Sequence, residues 1–271
     1  MNSAHYQRIL TALTLVLLIV AGLYFGGPVL LAELVLFASA TLWEFYSLFW
    51  TGRASLAVRG AGVALGIGLI LAFHAGSAAW VALILLAALW AGNMRFLFRF
   101  GGIQERASYS PSMVFFTGLL YIPTTFQLLL HMSVPEIVMV LLAPIASDTA
   151  AFYAGTYFGK ARIWPQISPK KSWVGAFASM AACVAVVTAF GVAFGSAPWW
   201  VWPPLGALLN VGAQMGDFFE SALKRKLGVK DSGALLPGHG GFLDRVDSLL
   251  LVIPLYALVH ALYPLFAAPG M

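Results

Sequence analysis

Asp217, Glu220, Ser221 and Lys224 stand at i, i+3, i+4 and i+7. That spacing sets four polar groups on one face of a helix. A carboxylate at a membrane boundary is costly unless it is paired, hydrated or bound to a cation, although a charge ladder can also simply end a helix. Shortly after come Lys230-Asp231-Ser232-Gly233 and Pro237-Gly238-His239-Gly240-Gly241. Glycines let backbone N–H groups approach phosphate and form anion-binding hollows, and the basic side chains nearby would neutralise a triphosphate. Taken alone, such a stretch is a surface turn and His239 a solvated loop histidine. Asp244 and Asp247 follow as i,i+3 carboxylates, predicted in the first turn of the next helix, where aspartates also serve as caps. Together with Asp217 they offer the hard oxygen ligands that suit Mg²⁺. No Cys/His spacing suggests zinc. Asp148, inside an apolar run, is either a functional carboxylate or a hydrogen-bonded structural one.

These residues sit in a chain of 271 residues that is 61% hydrophobic and only 9% charged. Soluble domains run near ~25% charged, so a membrane protein is the class that composition leaves open. Runs of roughly 20 apolar residues can cross a bilayer. Nine are predicted, at about 9–26, 29–50, 56–74, 77–93, 111–132, 135–158, 173–195, 198–220 and 246–266. The expected fold is therefore an all-α, polytopic membrane helix bundle. Its first four spans lie in 1–110 and its catalytic spans, with their loops, in 111–271, as one integral membrane unit. Arg8 followed by Ile9 to Phe25 has the look of a secretory leader. Its length and the spans that follow predict a retained first helix instead. The single cysteine, Cys183, lies in an apolar run, where a small buried hydrophobe is expected.

The charges constrain the topology. All fifteen Lys and Arg fall in five places: Arg8; Arg53 and Arg59; Arg95, Arg99 and Arg106; Lys160, Arg162, Lys170 and Lys171; and Lys224 to Lys230 with Arg245. With nine spans every one of these places lies on one face, and the positive-inside rule makes that face cytoplasmic. The N-terminus is then cytoplasmic, in a cell inner membrane, with the reacting groups on the cytoplasmic side. The net charge of +5 reflects this topology and an anionic substrate rather than nucleic acid. A transporter would instead place polar residues near mid-bilayer, and only Glu33, Glu44 and Asp148 come close.

From Ser221 through Lys224-Arg225, Lys230-Asp231, His239-Gly240-Gly241 and Asp244-Arg245 to Asp247, the chain resembles the signature of phosphatidate cytidylyltransferases, the CDP-diacylglycerol synthases. Upstream, Asp148 to Gly155 with Phe158-Gly159-Lys160 is similar to another segment of that family, as is Ile167-Ser168-Pro169-Lys170-Lys171-Ser172. Gly118 to Tyr121 and Trp43-Glu44-Phe45 match weaker features. Where the family often carries a polar residue, commonly Glu, this chain has Val174 before Gly175. The resemblance implies a nucleotidyltransferase of phospholipid biosynthesis that joins CTP to phosphatidic acid and releases pyrophosphate. It implies Mg²⁺, with or without a second cation, at Asp217, Asp244 and Asp247. Lys224, Arg225 and Lys230 are then candidates for CTP phosphates, with Ser221, Arg245 and Asp148 close by. Ser168, Lys170 and Lys171 are candidates for phosphate or the lipid headgroup, and His239 for a donor to phosphate. A CTP-dependent polyprenol kinase is a neighbouring reading; the Asp-Gly and Ala-Arg pattern of CDP-alcohol phosphotransferases does not occur. Gly155 and Gly159 permit close helix packing, within one chain or in a homodimer.

Overall fold

Backbone groups in a bilayer find no water, so each segment has to satisfy its own N–H and C=O groups, and helices do this. A computed structural model describes residues 3–103, 108–238 and 240–267. His239 and Arg106 lie outside the described residues. The protein is an all-α polytopic membrane helix bundle, with no strand among the described residues. Its helices are α1 (Ser3–Phe25), α2 (Gly27–Phe49), α3 (Leu56–His74), α4 (Ala78–Ile103), α5 (Ser110–Tyr121), α6 (Pro123–Leu128), α7 (Val134–Phe158), α8 (Trp173–Phe194), α9 (Trp202–Lys226), α10 (Leu243–Val246) and α11 (Leu249–Leu262). Eight segments of the described residues are long and apolar enough to cross a membrane. The ninth predicted span is α9, 25 residues long. At 1.5 Å per residue it has the length to cross, but its polar face carries Asn210, Gln214, Asp217 and Glu220.

Two predicted elements are broken. The run 111–132 divides into α5, α6 and a 3₁₀ turn, Leu129–His131. The break falls at Pro123, which has no N–H and crowds the preceding turn. The expected last helix begins earlier than 246 and is interrupted, with α10 ending at Val246 and α11 starting at Leu249. Asp247 thus lies in the break rather than in a helical first turn. Its Oδ1 accepts the Ser248 N–H at 2.6 Å and the Ser248 hydroxyl at 3.2 Å, a local bond of the kind that competes with helix formation.

The described residues form two units. The first comprises Met1–Leu130 with Asp231–Arg245. Its core centres on Tyr46, fully buried, stacked on Phe115 at 5.5 Å and donating its hydroxyl to the Phe115 carbonyl at 2.6 Å. Gly62 and Gly118 leave room for that ring. The second comprises His131–Lys230 with Val246–Met271. Here small residues bring helices into close contact. Gly155 on α7 and Gly159 just after it pack against Ser172, the residue that caps α8, so these glycines serve packing within the chain. Gly191 and Gly195 lie against the indole of Trp202, and Gly206 against the backbone at Val184. Buried Cys183 is a free thiol in this interior, as expected.

Candidate active site

Within the second unit a cleft of about 510 Å³ opens between α7, α8, α9 and the segment that joins α7 to α8. Asp148, Arg162, Lys170, Lys171, Ser172 and Gln214 bring its polar groups. Asp148 is exposed to this space. The 159–172 segment is shaped by backbone bonds: Ile163 N–H donates to the Lys171 carbonyl at 3.2 Å and Trp173 N–H to Ala161 at 3.1 Å. The Arg162 guanidinium donates to the Lys170 carbonyl at 2.7 Å. Ser172 caps α8 by accepting the Gly175 N–H at 3.2 Å. Ser168 closes the turn before the two lysines, its carbonyl accepting the Lys171 N–H at 3.3 Å.

Lys171 reaches from this segment to α9. Its ammonium lies 2.5 Å from Asp217 Oδ2 and 4.5 Å from the centre of the Phe218 ring. The other Asp217 oxygen accepts the Ser221 hydroxyl at 3.1 Å, so the i,i+4 pair read from the sequence shares a face. Lys224 pairs with buried Glu220. Arg225 Nε donates to the Ile167 carbonyl at 3.4 Å, tying the end of α9 to the same segment. Gly216 packs against the backbone of Asp247 and Ser248, which sets Asp247 beside the Asp217 turn. Asp148, Asp217 and Asp247 lie within electrostatic reach of one another, with Lys171 and Lys224 offsetting part of the negative charge. Beneath the cleft, Ser147 donates to Asn210 at 2.9 Å and Gln214 to Ser179 at 3.0 Å. These bonds satisfy polar groups that would be costly to bury alone.

Asp244 belongs to the first unit. Its Oδ2 accepts N–H groups from Gly241 at 2.9 Å and Ser232 at 3.0 Å. The carboxylate therefore folds its own segment, and the Gly241 N–H is already engaged rather than open to a phosphate. Gly238 and Gly240 have φ of 76° and 80°, which only glycine adopts without strain. Lys230 and Arg245 are exposed.

The sequence profile of the cytidylyltransferase family matches residues 6–263. This chain belongs to the cytidylyltransferase family. Among curated relatives, the phosphatidate cytidylyltransferase of Mycobacterium bovis is 46% identical over 112 residues, 41% of this chain and 36% of that protein. That of Brucella suis is 42% identical over 129 residues, 46% of each chain. That of Mycobacterium leprae is 37% identical over 150 residues, 53% of this chain and 44% of that protein. The matched stretch thus spans less than half the length of these relatives.

Three polar residues of the family chain were not singled out as site residues by spacing. Arg162 and Gln214 line the cleft, but a lone Arg in a basic segment and a lone Gln in a helix carry no pattern. Glu44 on α2 is 2% exposed and accepts hydrogen bonds from Ser232, Leu235 and Leu243. Its signal was an ionisable group in an apolar span. Among the described residues no group of three or more His, Cys, Asp or Glu is close enough to hold a metal ion. Mg²⁺ needs no such group, because it takes one or two carboxylates and completes its shell with water and substrate phosphates. Asp217 fits that demand: it is partly exposed and already draws an ammonium to its oxygen.

Proposed function

We propose that this chain is a phosphatidate cytidylyltransferase that converts CTP and phosphatidic acid to CDP-diacylglycerol and pyrophosphate. The observation that carries the reading is the cleft of the second unit. It sets Arg162, Lys170 and Lys171 opposite carboxylates of membrane-spanning helices. A lipid phosphate needs the first set, and a cation-bound nucleotide needs the second. The names of the relatives point to the same pair of substrates.

A phosphate oxygen of phosphatidic acid attacks the α-phosphorus of CTP. The bond from that phosphorus to the β-phosphate bridging oxygen breaks, and pyrophosphate leaves. Such a transfer asks a protein mainly for positioning and charge neutralisation. Lys170 and Lys171, with Ser168 and Arg162, hold the lipid phosphate beside Asp148. Lys224, Arg225 and Lys230 are the candidates for the CTP phosphates, with Ser221 fixing the Asp217 carboxylate; Arg245 and His239 are candidates for the same phosphates from the sequence alone. Asp217 and Asp247 would hold Mg²⁺, with water and substrate phosphates completing its shell, and Asp244 is a candidate ligand from the sequence alone. When bound, the ion, with or without a second cation, neutralises charge on the attacking and leaving oxygens. The membrane is a cell inner membrane, crossed several times, with this site on the cytoplasmic side, where the basic segments gather. The test is purified protein with CTP, Mg²⁺ and phosphatidic acid. Equal amounts of pyrophosphate and CDP-lipid are expected. Release of CDP with a phosphorylated lipid would establish a kinase instead.

A further inference from the structure

Glu44 lies five residues from the end of α2, and its carboxyl group is buried against the segment 231–245. Oε2 accepts the Leu243 N–H at 2.9 Å and the Ser232 hydroxyl at 3.3 Å, while Oε1 accepts the Leu235 N–H at 3.3 Å. The partners are 188 to 199 residues away in sequence. Gly233 and Gly241 are the close neighbours of this carboxyl, and a Cβ at either would collide with it. Ser232, itself 4% exposed, is shared: its hydroxyl goes to Glu44 and its N–H to Asp244 at 3.0 Å. One end of the segment, Ser232, and the other, Leu243, are thus held by a single side chain of a membrane helix. An acidic group inside an apolar helix is retained at a cost, and three converging donors offset that cost. The glycines beside it would otherwise leave the segment free to sample many backbone states.

We infer that Glu44 is a positioning residue: it fixes the 231–245 segment and, through Ser232 and Leu243, sets the place of the Asp244 carboxylate and of Arg245. It touches no reacting atom. Its catalytic consequence rests on the reaction proposed above, in which Asp244 and Arg245 serve the nucleotide side, whereas its hold on the segment does not.

The experiment uses a reporter cysteine at buried Phe242 (Phe242→Cys) in the full-length protein, a position that labels only when the segment opens; the native Cys183 is buried as well. Maleimide labelling in membranes should run roughly tenfold or more faster when Glu44→Ala or Glu44→Gln is added, as expected for loss of hydrogen bonds to a buried acid. Ser232→Ala should speed labelling in the same direction. In steady-state assays without the reporter, Glu44→Gln should raise the KM for CTP about ten- to a hundredfold, the same hydrogen-bond loss read as binding, and leave the KM for phosphatidic acid nearly unchanged. Should Glu44→Ala fail to accumulate, Glu44→Gln and Ser232→Ala decide the matter. Unchanged labelling in those two, or equal changes in both KM values, would overturn the inference. Labelling needs no substrate, so it stands apart from the reaction: wild-type protein that makes no CDP-lipid would sink the proposed function and leave this test intact.

Discussion

The Lys171–Asp217 pair is the point where the two halves of the proposed chemistry meet. The Lys171 ammonium, from the segment joining α7 to α8, rests on the Asp217 carboxylate of α9 at 2.5 Å. Lys171→Met should lower kcat/KM by about 10²-fold, the range for removing one preorganised charged donor, while thermal stability changes little because the pair is partly exposed. Asp217→Asn should abolish Mg²⁺-dependent turnover, and excess Mg²⁺ should not restore it; full activity would remove Asp217 from the metal site. The sequence made Asp217 and Ser221 legible through helical spacing, since that spacing sets which side chains meet on one face. It did not make Glu44 legible as a support. Its partners lie in a segment nearly two hundred residues away, and no local periodicity records such a contact.

The elements that shape the cleft are α7, α8 and α9, and their separation is set by glycines. A Cβ on Gly175 would stand 2.9 Å from the Ala151 carbonyl, and one on Gly216 would stand 2.6 Å from the Asp247 carbonyl. Gly175→Val should lower stability by about 1–3 kcal/mol through overpacking and narrow the cleft. Gly216→Val should displace Asp247 from the Asp217 turn. Thermal unfolding in detergent, read beside activity, separates the two: the first variant loses stability in step with activity, the second loses activity disproportionately. Helix positions were legible from hydropathy because a bilayer admits so few alternatives. The break after Val246 was not, because it depends on Asp247 bonding its own backbone neighbour.

At the level of the whole chain, the charge pattern of the sequence predicts nine crossings, and α9 is the one whose composition argues least for itself. Ser196, before α9, and Lys226, at its end, are both exposed. Cysteines there should label from opposite sides of sealed inverted membranes, Lys226→Cys from the cytoplasmic face. Labelling of both from one side would mean that α9 does not cross, and the alternation of basic segments would fail with it. The reaction itself is tested most directly by where the phosphorus goes. With CTP labelled at the α-phosphate, this account predicts that label enters the lipid fraction in proportion to phosphatidic acid consumed, whereas γ-label appears only in pyrophosphate. Transfer of γ-label to lipid, with α-label left in CDP, would contradict it.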